Sequence, residues 1–350
     1  MTTNQWPKLA RRSVILYAAG SVLSASPVAA QSDADFFRGK SIAISIPSEP
    51  GGGFDNYVRL LARHYAKHLP GNPNIVPQNV PGAGGLVQAN RLFNTDPQEG
   101  LHLGLVRASS LYEAVFANDA AKFDGRKFNW IGNLNADRDT CVFWHTAGIN
   151  SPADFYGKEM LVGATGVGSM SFSFPNLYNE LLGTKFKVIM GYKGTSDRVL
   201  AMERGEIHGG CGLFIATFRT TFEQQYKEGK LKLAAIAALS SDPDFPAARN
   251  ILDEAKTPEQ RQALEFLFAQ MEISRAIAAP PNTPLGRVEI LRRGFDATAK
   301  DSEFIADAAR LKLDLEPLSG AATAQVVDKF YATPAPIIDK VRRALGTDGK

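Results

Sequence analysis

Two glycine-rich stretches within about forty residues of chain carry the first chemistry legible in this sequence. Pro50-Gly51-Gly52-Gly53-Phe54-Asp55 follows the apolar run Ile42–Ile46, and Pro81-Gly82-Ala83-Gly84-Gly85 follows Ile75–Val80. Glycines lack a Cβ and tolerate φ > 0, so each stretch can turn sharply and present bare N–H groups. Behind the first lie Val58, Leu61, Tyr65 and Leu69, behind the second Leu86, Ala89 and Phe93, both at helical spacing. A helix start behind a side-chain-free loop favours anions, because unpaired N–H groups and the helix dipole both point at it. The pattern predicts a site for a carboxylate or a phosphate at Gly52, Gly53, Gly82, Ala83, Gly84 and Gly85. Asp55 stands either as a helix N-cap or as an acid for a cationic group on the ligand, and Glu49 is an acid that either points away or meets such a group.

The device recurs along the chain. Strand Leu101–Val106 ends in Arg107-Ala108-Ser109-Ser110, where Arg107 is either a carboxylate fork or a solvent-facing cation, and Ser109 joins the candidate site. Met160–Ala164 runs into Thr165-Gly166-Val167-Gly168-Ser169, and Phe186–Met190 into Gly191-Tyr192-Lys193-Gly194-Thr195, each before a helical segment. In open α/β sheets ligands lie beyond the carboxyl ends of strands, so two further loop-to-helix junctions at strand ends suggest a cleft with helix starts on both sides. Met170 and Phe172–Phe174 are more apolar than a purely polar pocket needs and hint at an aromatic or longer aliphatic acid.

No catalytic constellation is legible. Gly166-Val167-Gly168-Ser169-Met170-Ser171 lacks the last glycine of a nucleophile elbow, Gly191-Tyr192-Lys193-Gly194-Thr195-Ser196 misplaces the lysine of a P-loop, and neither early loop completes the dinucleotide fingerprint. His64 and His68 share a helix face, but with no third ligand nearby a solvated face is the expected reading, so neither a metal nor a cofactor is expected. Cys141 and Cys211 are either a disulfide or two buried thiols; export favours the bridge.

Residues 1–30 read as a cleaved secretory signal peptide: basic Lys8, Arg11 and Arg12, an apolar run Val14–Leu23, and Val28-Ala29-Ala30 as cleavage site. The Sec or the twin-arginine route would serve. The whole chain has 39 Lys+Arg against 36 Asp+Glu; the leader holds three of the basic residues and no acid, leaving 36 against 36. A neutral mature chain argues against nucleic acid or an anionic membrane surface as partner.

The motifs together resemble those of a known family. Ile46 to Asp55 followed by Arg59-Leu60-Leu61-Ala62 resembles the first signature of the Bug/TctC extracytoplasmic solute receptors, Asn79-Val80-Pro81-Gly82-Ala83-Gly84-Gly85 the second, and Ala279 to Pro284 a later one. Ser48-Glu49-Pro50 departs from the usual residues before the first glycines. The resemblance implies an α/β, two-lobed periplasmic binding protein of type II (a Venus flytrap), with lobe 1 from 31–133 plus 243–350, lobe 2 from 134–242, and a ligand cleft between them. It further implies capture of a small organic carboxylate, a di- or tricarboxylate or an aromatic acid, with Thr165, Gly166, Ser169, Lys193, Gly194 and Thr195 of the second lobe holding the rest of the ligand, and delivery to the membrane permease of a tripartite tricarboxylate transporter. A receptor signalling to a sensor kinase, or a hydrolase on the same scaffold using Ser169, are the alternatives.

Overall fold

Ile42, Ile44 and Ile46 alternate along one strand, and all three are fully buried. Ser45, between them, is buried too. A strand covered on both faces belongs in the middle of a parallel sheet, and that is where the computed structural model places it. The model describes residues 1–3, 33–51, 53–166 and 169–345. The chain divides into Met1–Ser32 and Asp33–Lys350, and every element below belongs to the second unit. The leader expected over 1–30 falls, beyond its first three residues, outside the described residues, as does Gly52.

The strands are β1 (Ser41–Ile46), β2 (Asn74–Asn79), β3 (His102–Val106), β4 (Asn129–Asn133), β5 (Asp139–Trp144), β6 (Met160–Ala164), β7 (Phe186–Met190), β8 (Gly209–Phe214), β9 (Leu231–Ala237), β10 (Ala276–Ala279) and β11 (Leu318–Ser319). They form two sheets, in the orders β11-β4-β10-β3-β1-β2 and β7-β6-β8-β5-β9. In the first, β1 runs parallel to β2 and β3, while β10 is antiparallel to both β3 and β4, so β1 to β4 all point one way. In the second, β6 runs parallel to β7 and β8, and β5 is antiparallel to β8 and β9, so β6 to β9 share a direction.

That polarity positions the site. Strand β4 ends at Asn133, and within five residues, Leu134–Arg138, the chain has entered β5 of the other sheet. Because β5 begins where β8 and β9 end, with Asp139 opposite Phe214 and Ala237, the crossing joins the carboxyl edge of one sheet to that of the other. The glycine loops after β1 and β2, Arg107 after β3, and the loops after β6 and β7 therefore all open on the inter-sheet side.

Helices cover both sheets, and their apolar faces account for the core. Helix Gly53–Tyr65 buries Val58, Leu61 and Tyr65 as its spacing predicts, but gives way to a 3-10 turn at Ala66–His68 rather than continuing to Leu69. Helix Pro258–Glu272 opens with a capping box at Thr257 and Gln260. It packs Phe268 against Phe174 and Tyr178 of helix Met170–Leu182, with ring centres 5.8 and 6.5 Å apart, and the Gln260 side-chain amide donates to Leu181 O at 2.7 Å. The segment after 243 thus packs on the second sheet's helix as well as supplying β10 to the first. Of the apolar residues expected at the pocket, Phe174 instead packs into this core, whereas Met170 and Phe172 stay half-buried.

Cys141 on β5 and Cys211 on β8 are joined, with Cα atoms 4.0 Å apart across the antiparallel pair. The bridge spans 70 residues, holding β6, β7 and their helices in one closed loop. No described helix is long and apolar enough to cross a membrane.

Candidate functional site

The first glycine loop is braced from below. Asp55 is the third residue of its helix, not the N-cap expected of it, and its carboxylate is satisfied inside the protein. Oδ2 accepts from Gly51 N and Arg59 Nε, both at 2.8 Å, and Oδ1 from Asn79 Nδ2 at 2.9 Å. Asn79 Nδ2 also donates to Ser48 O, at 2.9 Å. Burial opposes the charge on Asp55, but hydrogen bonds from Arg59, Gly51 and Asn79 and the Arg59 charge outweigh it and hold the carboxyl at about 2. Asp55 is therefore the clamp that ties the β1 loop to the end of β2. It is already saturated by protein donors, which corrects its placement among the ligand contacts. Glu49 is exposed.

A buried polar chain sets the second loop. Gln88 Nε2 donates to Ser45 Oγ at 2.7 Å, and Ser45 Oγ to Leu103 O at 3.2 Å. The Gln88 amide occupies the space beside Gly104 that a Cβ would need. The loop itself runs through four consecutive residues with positive φ: Gly82 (136°), Ala83 (44°), Gly84 (65°) and Gly85 (105°). Ala83 pays in strain for a conformation that suits its neighbours. Gly82, Ala83 and Gly84 are exposed, whereas Gly85 is buried and its N–H already donates to Gly82 O at 2.9 Å.

Gly85 makes room for an arginine, and a second arginine lies in ordinary contact distance of Gly53. A Cβ on Gly85 would meet Arg107 Cδ and Ser110 Oγ, both at 2.9 Å, and one on Gly53 would lie 3.7 Å from an Arg275 terminal nitrogen. Both guanidiniums lie against the ring of Phe54, their carbons 4.9 Å (Arg107) and 4.7 Å (Arg275) from its centre, and Arg275 also lies 5.0 Å from that of Tyr57. Arg275 pairs with Asp137 at 3.0 Å and donates to Ser274 O at 2.9 Å. Half-buried Arg107 makes no ion pair among the described residues. Burial, with the Arg275 charge beside it, lowers the pKa of Arg107 below the usual guanidinium range. Ser110 Oγ, 1 % exposed at residue level, has no hydrogen-bond partner. The bare-amide trap expected from sequence is thus revised: at Gly85 the amide is occupied, and the positive charge comes from guanidiniums fitted against the loops. Ser109 is exposed, while its neighbour Ser110 is the buried one.

Around β6 and β7 the groups are hydroxyls. Ser171 Oγ accepts from Thr165 N at 3.1 Å and lies 2.9 Å from Ser169 Oγ, which donates to Gly166 O at 2.7 Å; Ser173 Oγ donates to Ser169 O at 3.0 Å. Among the described residues none of these partners is a histidine. Thr195 Oγ1 accepts from Arg198, whose guanidinium is buried beneath the loops and donates to Cys211 O at 2.8 Å and Gly212 O at 3.0 Å. Lys193 is exposed, its N–H donating to Asp197 at 3.1 Å, and Gly194 is half-buried. Asp139, fully buried beside Arg198, is pushed up to about 7, chiefly by burial, which hydrogen bonds from Thr140 and Leu213 N–H and the Arg198 charge only partly offset.

A cavity of about 290 Å³ lies at the sheet crossing rather than at the glycine loops, lined by Asp137, Arg138, Arg219, Asp242, Asp314 and Glu316 among others. It is cross-braced: Arg138 forks Glu316 at 2.6 and 2.7 Å, Arg219 meets Asp242 at 2.7 Å, and Tyr57 OH donates to Asp314 O at 2.7 Å. His64 and His68 do acquire acids from a distant helix, against expectation: His64 bonds Asp307 at 3.0 Å and His68 bonds Asp301 at 2.8 Å. His64, Asp301 and Glu303 bring ligand atoms within 4.8 Å of one another. The Lys67 ammonium already pairs with Asp301 at 2.6 Å and Glu303 at 2.5 Å, so a cation is already built into this cluster.

Sequence reasoning missed Arg275 and Asp137, and from the end of β3 it chose Ser109 rather than its neighbour Ser110. Arg275 precedes a short strand whose direction cannot be read from its residues; only because β10 runs antiparallel to β3 does its first end lie beside Arg107.

No family model matches the chain. A UPF0065 protein encoded in a gbd 5′ region of Cupriavidus necator is 28% identical over 252 residues, covering 68% of this chain and 71% of that protein. Among solved structures, a TctC solute-binding protein from Polaromonas superposes with a TM-score of 0.69 at 21% identity, covering 87% of this chain and 98% of that one. The MatC protein of Rhodopseudomonas palustris with bound malate does so with a TM-score of 0.58 at 21% identity, covering 86% and 99%. The chain thus carries the fold of the TctC-type solute-binding proteins, the proteins its motifs resemble.

Proposed function

We propose that this chain is an exported solute-binding receptor, not an enzyme, that captures a small organic carboxylate between its two sheets and hands it to the membrane permease of a tripartite transporter. The observation that carries the reading is Arg107: a half-buried guanidinium without an acid partner among the described residues, set beside a second arginine at glycine-rich helix starts. A cation in that position lowers its cost of burial by pairing with an anion. The malate bound by MatC, a protein of the same fold, agrees in charge.

In this reading the sheets act as lobes, 31–133 with 243–350 against 134–242, and a ligand touching both favours the closed form by its differential affinity. The permease and the periplasmic address follow from the family resemblance, with residues 1–30 as the export signal. The hydroxyl-rich loops at Thr165–Ser173 and the exposed Lys193 then face the rest of the ligand and set its identity.

A thermal-shift panel of malate, adipate, citrate, benzoate, neutral sugars and divalent metals tests the proposal. At a hundred times its Kd a ligand adds about 2.7 kcal/mol of stability, so at least one acid must raise the melting temperature by several degrees. If sugars or metals alone do so, the carboxylate reading is wrong.

A further inference from the structure

We propose that Arg107 and Arg275 form one head-group anchor whose net charge is set by Asp137 at a single positive unit, so that the receptor selects a singly charged carboxylate over a doubly charged phosphate or phosphonate head. This rests on the receptor reading above and deepens it.

Three observations carry the inference. First, the two guanidiniums share one ring, lying 4.9 and 4.7 Å from the centre of Phe54, so a ligand group reaching one lies in the field of the other. Secondly, the charges count to one. Arg107 has no acid and Arg275 has only Asp137, at 3.0 Å, among the described residues. Nearby Asp55 is taken up by Arg59. Thirdly, Ser110 Oγ is buried and unpartnered beside the Arg107 side chain and Gly85, a neutral group suited to one further oxygen of the same head.

Asp137 is a positioning residue rather than a contact. It lies on the crossing Leu134–Arg138, is 6 % exposed, accepts from Asn135 at 3.2 Å, and pairs with Arg275 through one terminal nitrogen while the other is the one nearest Gly53. Removing its charge leaves two uncompensated guanidiniums, an arrangement better matched to a dianion.

Arginine side-chain NMR of the mature chain reads the anchor directly, whatever the natural ligand. Sodium acetate is the carboxylate probe, and inorganic phosphate at pH 8, where it is chiefly dianionic, is the competitor. Acetate is expected to move the Nε–Hε resonance that disappears in Arg107→Gln, and phosphate to bind no tighter than acetate. In Asp137→Asn phosphate should gain at least tenfold on acetate, the effect of one extra charge a few ångströms away; Asp137→Glu, which keeps the charge, should retain the parent preference. An Arg107 resonance unmoved by acetate overturns the proposal, as does an unchanged acetate-to-phosphate ratio in a folded Asp137→Asn. Should Asp137→Asn fail to fold, Arg275→Gln takes its place: acetate affinity must drop at least tenfold, and unchanged affinity overturns the anchor. Stabilisation by the acid panel with an unmoved Arg107 refutes the anchor alone; acetate binding at Arg107 with no response to any acid of the panel refutes the receptor reading instead.

Discussion

Replacing Asp55 by asparagine separates a structural acid from a ligand-binding one. In the structure its carboxylate accepts from Gly51 N, Arg59 and Asn79 and is held at about 2, against an ordinary 3.8. A folded-state pKa below the unfolded one means stability that is fully present above the unfolded value and is lost as pH falls through the folded one. The difference of nearly two units corresponds to about 2 kcal/mol, which the nearly complete burial of the side chain, 3% exposed, leaves undiscounted. For a chain of this length that is roughly 3 °C in melting temperature, using an unfolding entropy of about 2 cal/mol/K per residue. Thermal melts of both proteins from pH 7 down to pH 3 provide the assay. The gap should hold from pH 7 to about pH 5 and shrink to about 1 kcal/mol by pH 3, where part of the unfolded-state population is already protonated. Acid binding at pH 7 should persist in the variant, since Asp55 meets no ligand. A gap that stays constant from pH 7 to pH 3 would refute the linkage argument, and a loss confined to aminated acids would refute the structural role.

Removing the Cys141–Cys211 bridge, as the double serine variant or by reduction, should lower stability by about 4 kcal/mol on the loop-closure model for 70 residues, measured by urea unfolding of oxidised and reduced protein. Gly212→Ala should destabilise by about 2 kcal/mol or more, because φ is +74° and the new Cβ would run into the backbone of Ser171; the same change displaces the Ser169–Ser171 hydroxyls and should weaken any ligand-induced thermal shift. Asp139 supplies a pH dependence of opposite sign to that of Asp55: with its folded pKa raised to about 7, the folded state keeps a proton that the unfolded chain has lost. Its contribution therefore declines as pH rises from about 4 to 7 and levels off above, and Asp139→Asn should flatten that part of the stability profile. Gly104→Ala should be among the costlier single substitutions on the first sheet, since Gln88 Nε2, Ser45 Oγ and Leu92 already fill the space a new Cβ would take; an undiminished melting temperature would show that the polar chain yields easily.

What the residues determine locally, the sequence shows. The apolar run Ile42–Ile46 fixes a strand, the runs after each glycine loop fix helices, and proline with glycine fixes the breaks, because these follow from backbone sterics and from the burial of neighbours close along the chain. Strand ends bearing loops were legible for the same reason. The partners of individual charges were not. The sequence neighbourhood of Asp55 permits a helix cap, and only the arrival of Asn79 from β2 makes it a clamp. His64 and His68 lack acids in sequence and gain them from a helix more than 230 residues away.

The anchor shows the division most sharply. Glycines at 53 and 85 are evident as places without side chains, and their sequence alone cannot say what fills the space. The fold fills the space at Gly85 with Arg107 and brings Arg275 up to Gly53, because β10 runs antiparallel into a sheet whose other neighbours at that point are parallel, and so carries residue 275 to the edge where residue 107 leaves β3. Sequence thus determined where the backbone must bend and which faces it must bury; tertiary structure decided which charges meet, since electrostatic partners are set by distance in space and not by separation along the chain.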